Sequence, residues 1–275
     1  MQVLNAVFGK IFEVIFVPFR GLDAWFGMIF ISLVTGLLML FVYSRTSNQA
    51  GIKAVKNRIK AHLLEIRLYK DSLPVQLKAQ GRIVLANFRY IGYSAKPLLV
   101  MILPLLLILA QLNLWFGFRS LRPGEEVLLK IKLVEGRNPM DTAIMPDPTA
   151  GVNIETPALR LEEGRELDWR LRVSEKGLHI LTFRLNNQTF TKTIAVDLDP
   201  LSRVSPLKTR GGILDEFFNP GEKTLPSGLP VKSVEIVYPG LRLRAFGIGF
   251  HWLIAYFLLS IIFGFALKRP FRVEI

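Results

Sequence analysis

The chain has 275 residues, of which 51% are hydrophobic, and it carries a formal net charge of +13. Together with a mean hydropathy of +0.35, this composition is typical of a membrane protein, because soluble domains are seldom half apolar. The chain contains no cysteine, which excludes disulfide frameworks, zinc–thiolate sites and cysteine nucleophiles.

The first segment, residues 1–22, predicts an amphipathic helix that lies at a membrane interface. The helix is expected to end near Pro18, because proline interrupts the backbone hydrogen-bond ladder. A cleaved signal peptide is the alternative, but no basic segment precedes the apolar run and no small-residue cleavage pattern follows it. The polar residues that recur at helical spacing are Gln2, Asn5, Gly9 and Glu13.

Three windows lack Asp, Glu, Lys and Arg and are long enough to cross a bilayer. They contain 21, 22 and 23 residues, whereas a hydrocarbon core about 30 Å thick requires roughly 20 helical residues. Buried core helices of a soluble protein are the alternative, but three such windows in one chain argue against them. We therefore predict three transmembrane helices, at 24–44, 97–118 and 245–267.

Residues 45–96 predict a basic, antiparallel helical hairpin. Its first arm carries apolar residues at alternating steps of three and four, as in a coiled-coil seam. The sequence DSLP at 71–74 interrupts the helix, and Pro74 suits an early position of the next one. The first seam consists of Ile52, Val55, Ile59, His62, Ile66 and Tyr69, and the stripe of the second arm consists of Leu77, Gly81, Val84, Phe88 and Ile91.

The charge of the hairpin has two explanations. Positive loops are retained in the cytoplasm, where anionic lipid attracts each nearby Lys or Arg by about 1 kcal/mol. Docking of a partner is the second explanation, and the length of the hairpin favours it, because retention requires only a few charges. His62 on the seam is interpreted as a packed or interfacial side chain rather than a metal ligand, since no second His, Cys or paired carboxylate lies within helical reach. The candidate partner-binding residues are Lys53, Lys56, Arg58, Lys60 and Arg67.

From residue 119 the apolar period changes from helical to alternating, which predicts strands. A tight hairpin is expected at Asn186-Asn187, because asparagine tolerates the left-handed conformation of such turns. Residues 199–230 predict a Pro/Gly-rich connector, in which 213–218 forms an amphipathic turn. The region 119–244 is therefore expected to be an all-β, immunoglobulin-like sandwich. Its predicted strands are 125–136, 152–161, 166–173, 177–185, 188–199 and 231–239.

The distribution of charge predicts the topology. Loop 45–96 holds eleven basic and two acidic residues, whereas 119–244 holds nineteen basic and seventeen acidic residues. Short loops rich in Lys and Arg stay in the cytoplasm, and long domains are translocated largely regardless of charge. We expect a multi-pass protein of a bacterial inner (plasma) membrane with its N-terminus outside, its hairpin inside and its β-rich domain outside. The basic tail, 268–275, is expected in the cytoplasm.

No motif of catalysis is present: the sequence lacks nucleophile-elbow, HExxH, Walker A and GxGxxG patterns. We therefore expect no enzyme activity, no metal and no cofactor. The polar residues within the apolar windows either bond helix to helix or line a partly hydrated groove that eases the passage of a polar segment. The groove candidates are Ser32, Thr35, Gln111, Asn113 and Ser260.

The order of these parts resembles the core of the YidC–Oxa–Alb insertase superfamily. An interfacial helix leads into a span, then a basic helical hairpin, then a span that begins with a proline-containing apolar motif, here PLLVMILP at 97–104. The bacterial insertases carry an arginine in the first core span, where this chain has Thr35-Gly36, and they have five core spans. In span count the chain is more similar to the three-span members of the superfamily. The resemblance covers about residues 1–118 and the third span, and the β-rich domain is not part of it.

The resemblance implies insertion or chaperoning of membrane segments. The expected partners are membrane lipids, client membrane-protein segments, the ribosome, and a partner subunit or a second copy of the chain, with no recognition of a specific nucleic-acid sequence. The alternative is a structural or sensory membrane subunit whose outer β-domain binds a partner in the cell envelope.

Overall fold

The computed structural model describes residues 2–185, 188–245 and 247–271. The chain divides into two compact units, each assembled from separate stretches of sequence. Met1–Met28 and Leu107–Ala255 form the first unit, which contains the described β-strands. Ile29–Leu106 and Tyr256–Ile275 form the second unit, in which the described secondary structure is helical.

Four helices account for most of the chain before residue 117. They are α1 (Gln2–Phe16), α2 (Ala24–Thr46), α3 (Gln49–Leu68) and α4 (Leu73–Phe116). Two of them, α2 and α4, are long and apolar enough to cross a membrane.

Helix α1 ends where the sequence predicts. A short 3-10 turn at Val17–Phe19 follows it and contains Pro18. Phe16 is buried against the rings of Trp115 and Phe116, with centroid distances of 4.8 Å and 5.5 Å. These aromatic contacts hold α1 against the C-terminal end of α4.

Helix α4 is much longer than the sequence predicts. Its 44 residues extend over about 66 Å, so the second arm of the hairpin and the window at 97–118 form one continuous helix. Pro97 and Pro104 lie inside it. Proline removes a backbone donor, but apolar helices tolerate it where neighbouring groups or small local adjustments satisfy the freed carbonyl.

Helix α3 and the first half of α4 form an antiparallel hairpin. A Cβ placed on Gly51 would lie 3.1 Å from Cζ of Tyr93, and Nζ of Lys56 lies 6.0 Å from the ring centroid of Tyr90. Nearer the tip, Nη1 of Arg82 lies 3.7 Å from Oε1 of Glu65. Residues later in α3 contact residues earlier in α4, which is the pattern of an antiparallel pair.

The predicted inner stripe of the second arm is wrong. Ile52 and Val55 of α3 are buried as expected, but the buried side chains of the second arm are Ala79 and Ala86, and Ala86 lines the same cleft as Val55. Alanine faces α3 because a small side chain lets the two helices approach closely, so the larger apolar residues point outward. The residues of the predicted stripe are exposed instead: Leu77, Gly81, Val84, Phe88 and Ile91.

The rest of the chain is mainly antiparallel β-structure. One sheet has the order β3-β5-β1-β9-β8, with β4 paired to β5, and a second has the order β2-β6-β7. The strands are β1 (Glu126–Leu133), β2 (Met145–Pro146), β3 (Val152–Ile154), β4 (Leu159–Leu161), β5 (Glu166–Val173), β6 (Gly177–Leu185), β7 (Gln188–Val196), β8 (Leu207–Thr209), β9 (Val231–Ile236), β10 (Leu243–Ala245) and β11 (Ile248–Phe250). Helices α5 (Ile213–Phe218) and α6 (Trp252–Leu267) complete the described elements, with 3-10 turns at Val17–Phe19 and Pro139–Asp141.

The two larger sheets share one apolar core. Leu129 and Trp169 from the first sheet and Phe183 and Phe190 from the second are all buried in it, and the two phenylalanine rings stack with centroids 5.0 Å apart. Alternating apolar residues fill this core because successive side chains of a strand point to opposite faces. The predicted combination of a helical part and an all-β part is therefore confirmed. The predicted turn at Asn186-Asn187 lies outside the described residues, although β6 and β7 pair on either side of it.

Strand β7 is an edge strand whose outward backbone groups are bonded by side chains and, at its end, by the backbone of Leu121. Nζ of Lys208 donates to the carbonyl of Thr191 at 2.6 Å, and the amide of Thr193 donates to Oε2 of Glu222 at 3.4 Å. The amide of Ala195 donates to the hydroxyl of Tyr238 at 2.8 Å. Burial raises the pKa of Tyr238, so its hydroxyl remains neutral and protonated at physiological pH.

Asp168 on β5 carries a buried carboxylate oxygen, Oδ1, that has no hydrogen-bond partner among the described residues. Burial raises the pKa of Asp168 above its ordinary value of 3.8, while the charge of Lys130 acts in the opposite direction. The folded protein therefore binds this proton more tightly than the unfolded chain does. The penalty for ionising Asp168 is absent below the ordinary pKa and is fully present at neutral pH.

Replacing Asp168 with asparagine should therefore stabilise the β-domain by about 1 kcal/mol at pH 7. The gain should disappear as the pH falls through the raised pKa of Asp168, because the aspartic acid is then neutral as well. Thermal unfolding of the full chain in detergent at several pH values measures both effects. A variant that is less stable than the parent at pH 7 would contradict the expectation, and Asp141→Asn, at an exposed carboxylate, is the control.

The prediction of a third transmembrane helix over 245–267 is wrong in its bounds and its length. Its first residues lie in the hairpin of β10 and β11, where Leu243 pairs with Phe250 and Gly247 has a φ of 79°. This left-handed backbone favours glycine, so a turn forms where uncharged composition suggests helix. The remaining helix, α6, has 16 residues and spans about 24 Å, which is shorter than a bilayer core of about 30 Å.

Candidate functional site

The hairpin contains a basic cleft between its two arms. The cleft has a volume of about 390 Å³, and its charged lining consists of Arg58, Arg82, Arg89 and His62. Glu65 is the acidic group beside it: its carboxylate lies 2.9 Å from Nδ1 of His62 and 3.7 Å from Arg82. Three guanidinium groups and one nearby carboxylate give the cleft a net positive field, which favours an anionic group.

The structure places the predicted basic residues on the exposed sides of α3, with one exception. Lys53, Arg58, Lys60 and Arg67 are exposed, whereas Lys56 is half-buried with its ammonium group over the ring of Tyr90. Of the predicted set, only Arg58 lines the cleft. Sequence reasoning did not include Arg82 and Arg89, and only the antiparallel pairing of the arms identifies them as neighbours of Arg58.

An apolar stripe runs along the outer side of α4. The side chains of Leu77, Val84, Phe88 and Ile91 are between 55% and 68% exposed. Leu63, Leu64 and Leu68 add further exposed apolar surface on α3. Contiguous apolar surface of this kind marks interaction sites on proteins, because isolated exposed residues are common but long stripes are not.

The predicted groove residues Ser32, Thr35 and Ser260 lie in the helical unit. The hydroxyls of Thr35 and Ser260 interact with the hydroxyl of Tyr256, but none of the four hydroxyls of this cluster has a hydrogen bond of good geometry among the described residues. Helices α2 and α6 approach closely beside them, since a Cβ on Gly36 would lie 3.4 Å from Cβ of Phe263. Four buried hydroxyls therefore retain the capacity to bond a polar group.

The other two groove candidates belong to the first unit. Gln111 is buried, and its Oε1 has no hydrogen-bond partner among the described residues. Asn113 is half-buried near the end of α4, where its carbonyl accepts a bond from the amide of Gly117 at 3.0 Å.

Comparison of the chain with protein-family models, with curated proteins and with solved structures finds no match. In the part of the chain that the structure describes, no three His, Asp or Glu side chains form a group that could hold a metal ion. The features that could bind another molecule are the basic cleft, the apolar stripe and the four buried hydroxyls.

Proposed function

We propose that the chain is an insertase-like or chaperone-like integral membrane protein that assists the insertion or assembly of other membrane proteins. The observation that supports this most is the apolar stripe on the outer side of the hairpin. A solvent-facing helix with exposed phenylalanine, leucine and isoleucine side chains is costly unless it meets an apolar partner. A membrane segment that has not yet entered the bilayer is such a partner.

The stripe also has a direction. Beyond Ile91 it continues along α4 through the exposed side chains of Leu98 and Ile102, which lie in the apolar part of the helix. A client segment bound at the hairpin can therefore move along one continuous helix face toward the bilayer without leaving apolar surface. Hydrophobic partitioning of the client supplies the free energy of the transfer.

The remaining features would act on the polar parts of the client. The basic cleft attracts an acidic residue that flanks the apolar segment. The buried hydroxyls of Ser32, Thr35, Tyr256 and Ser260 offer hydrogen bonds to a polar group that must pass through apolar surroundings, which lowers the cost of its desolvation.

In the proposed topology, α2 and α4 both cross the membrane. The hairpin between them is cytoplasmic because of its positive charge, and α1 and the β-domain then share the outer side of a bacterial plasma membrane. Helix α6 packs beside α2 at Gly36, and its length does not require it to cross.

An insertion assay tests the proposal. The purified full chain is reconstituted into liposomes, and a client with one hydrophobic segment and an acidic flank is synthesised in their presence. We expect the protease-protected fraction of the client to rise severalfold over liposomes that contain an unrelated multi-pass protein. Equal protection in the two preparations would contradict insertase function, and specific recovery of a fixed set of envelope proteins would instead favour the structural or sensory alternative.

A further inference from the structure

The first unit contains a second polar site that the insertase proposal does not use. It is a cavity of about 230 Å³ between α1 and the loop that follows α5. Helix α1 contributes Asn5, Gly9 and Glu13, spaced four residues apart on one face, together with Ala6 and Lys10. The loop side contributes Glu216, Asn219 and residues 220–224, and Arg203 lies between the two.

Arg203 is a largely buried cation that has no carboxylate of a described residue within 4.0 Å. Its Nη2 donates to the carbonyl of Pro220 at 2.8 Å, but its Nε is buried and unbonded, and it forms no ion pair with a described residue. The guanidinium group lies over Gly9, where a Cβ would be 3.4 Å from Nη2. A buried charge of this kind is unfavourable unless a ligand or a partner neutralises it.

The nearest carboxylates are engaged elsewhere. Glu13 lies 3.3 Å from Lys10 and 3.5 Å from Arg20. Glu222 is paired with the buried ammonium group of Lys192 and also accepts a bond from the amide of Thr193. Both carboxylates still attract Arg203 at longer range, but its buried Nε has no hydrogen-bond partner among the described residues and remains available to an anion that enters the cavity.

Glu216 also lines the cavity, and its Oε1 would lie 3.6 Å from a Cβ placed on Gly211. Glu216 bonds through its backbone carbonyl to Nδ2 of Asn5 at 2.6 Å, but its carboxylate has no ion-pair partner among the residues that the structure describes. Lys223 lines the cavity as well and is likewise unpaired within the described ranges. The unoccupied charges are thus two cations and one anion, which suit a ligand that carries both signs.

The cavity lies beside apolar surface on both of its walls. On α1, exposed apolar side chains recur at Val3, Val7 and Val14, on the side of the helix away from Gly9. On α5, Ile213, Leu214 and Phe218 are exposed. An amphipathic helix and a neighbouring apolar turn of this kind suit a lipid surface, where polar groups between them lie at the level of the headgroups.

We propose that this cavity binds a lipid headgroup that combines a phosphate with a primary ammonium group. The phosphate lies against Arg203 and Lys223, and the ammonium group donates to the carboxylate of Glu216. A quaternary ammonium headgroup fits less well, because such groups are recognised by aromatic cages and the described lining of this cavity contains no aromatic residue. The site requires that α1 lies at a membrane surface, and it does not depend on insertase activity.

Lipid binding to the delipidated full chain in neutral detergent, followed by native mass spectrometry, tests the proposal. The probes are phosphatidylethanolamine, phosphatidylcholine and phosphatidylglycerol with identical acyl chains, and soluble phosphoethanolamine. We expect phosphatidylethanolamine to bind about tenfold more tightly than the other two lipids, because a charge-assisted hydrogen bond is lost with each of them. Equal binding of the three lipids would overturn the proposal. If soluble phosphoethanolamine binds as tightly as the lipid, the cavity recognises the phosphate and ammonium groups, but the proposal that its ligand is a membrane lipid is overturned.

Two variants assign the effect to this cavity. Glu216→Gln should remove the preference for phosphatidylethanolamine over phosphatidylglycerol, and Arg203→Gln should weaken phosphatidylethanolamine binding by about tenfold. The matched controls are Glu163→Gln and Arg210→Gln, at exposed residues of the same unit that do not line the cavity. If Arg203→Gln lowers the thermal stability of the chain, the result for Glu216→Gln is decisive, because the half-buried carboxylate of Glu216 has no ion-pair partner among the described residues. An unchanged lipid preference in Glu216→Gln overturns the assignment.

Discussion

Replacing Val84, Phe88 and Ile91 together with serine should lower the crosslinking of client segments to the hairpin by at least about tenfold. Each of these side chains is more than half exposed on the outer side of α4. Burial of one such side chain against a partner contributes about 1.5–3 kcal/mol, and 1.4 kcal/mol corresponds to a tenfold change in affinity. A photoreactive residue at Leu77, which lies on the same stripe, reports the contact during synthesis of the client.

The control for this experiment is a triple serine variant of the β-domain at Leu128, Leu178 and Val237, which are also exposed. It removes a similar apolar area without changing the hairpin. Circular dichroism should show the same helix content for both variants, because none of the substituted side chains is buried. If the hairpin variant captures clients as well as the parent does, the stripe is not the docking surface.

The largest loss of stability is expected from Glu222→Gln. Lys192 on β7 is completely buried, and its ammonium group is bonded by Glu222 and by the carbonyl of Ser205, the latter at 2.8 Å. Burial lowers the pKa of Lys192, and the charge of Glu222 opposes that shift. Removing the carboxylate leaves a buried charge without its partner, which costs about 3–5 kcal/mol. Thermal unfolding of the full chain in detergent should show a clearly lower Tm.

Two comparisons isolate the cause of this loss. The double variant Lys192→Met with Glu222→Met should lose less stability than Glu222→Gln, because it removes both charges from the interior. The more exposed pair of Lys132 and Glu166, at 3.2 Å, is the second comparison, and Glu166→Gln should cost less than about 1 kcal/mol. Equal losses for the variants at Glu222 and Glu166 would show that burial of Lys192 does not determine the effect.

The elements that sequence reasoning predicts well are those in which one periodic pattern determines the structure. Segments 166–173 and 177–185 alternate apolar and polar residues, and both are strands with the predicted bounds. The segment 152–161 shows the limit of this reasoning, because Pro157 divides it into the short strands β3 and β4. Proline cannot donate to a ladder of backbone hydrogen bonds, so the pairing with β5 is interrupted there.

The second arm of the hairpin shows why an apolar stripe does not by itself identify a buried face. The pattern rule assumes that the largest apolar residues face the partner helix. Here Ala79 and Ala86 face it, and Phe88 faces solvent. Small side chains at the contact allow the helices to approach closely, so the size of an apolar residue does not by itself identify the buried face.

Some of the candidate site residues can be found from the sequence, and others cannot. Ser32, Thr35 and Ser260 could be found from sequence because polar residues are conspicuous in apolar helices. Arg203 and Glu216 could not be found from the sequence, since both lie in the Pro/Gly-rich connector. They form a candidate site only because α1 lies beside that connector in the folded chain. Long-range placement of irregular segments leaves no periodic signal in the sequence.

The bonding of β7 by side chains limits how the β-domain can bind other proteins. An open strand edge recruits extended peptides and promotes aggregation, because its free amides and carbonyls template another strand. Lys208, Glu222 and Tyr238 occupy these groups on β7, so an incoming strand would have to displace all three side chains. An extended peptide therefore meets no free backbone group of β7 at these three positions.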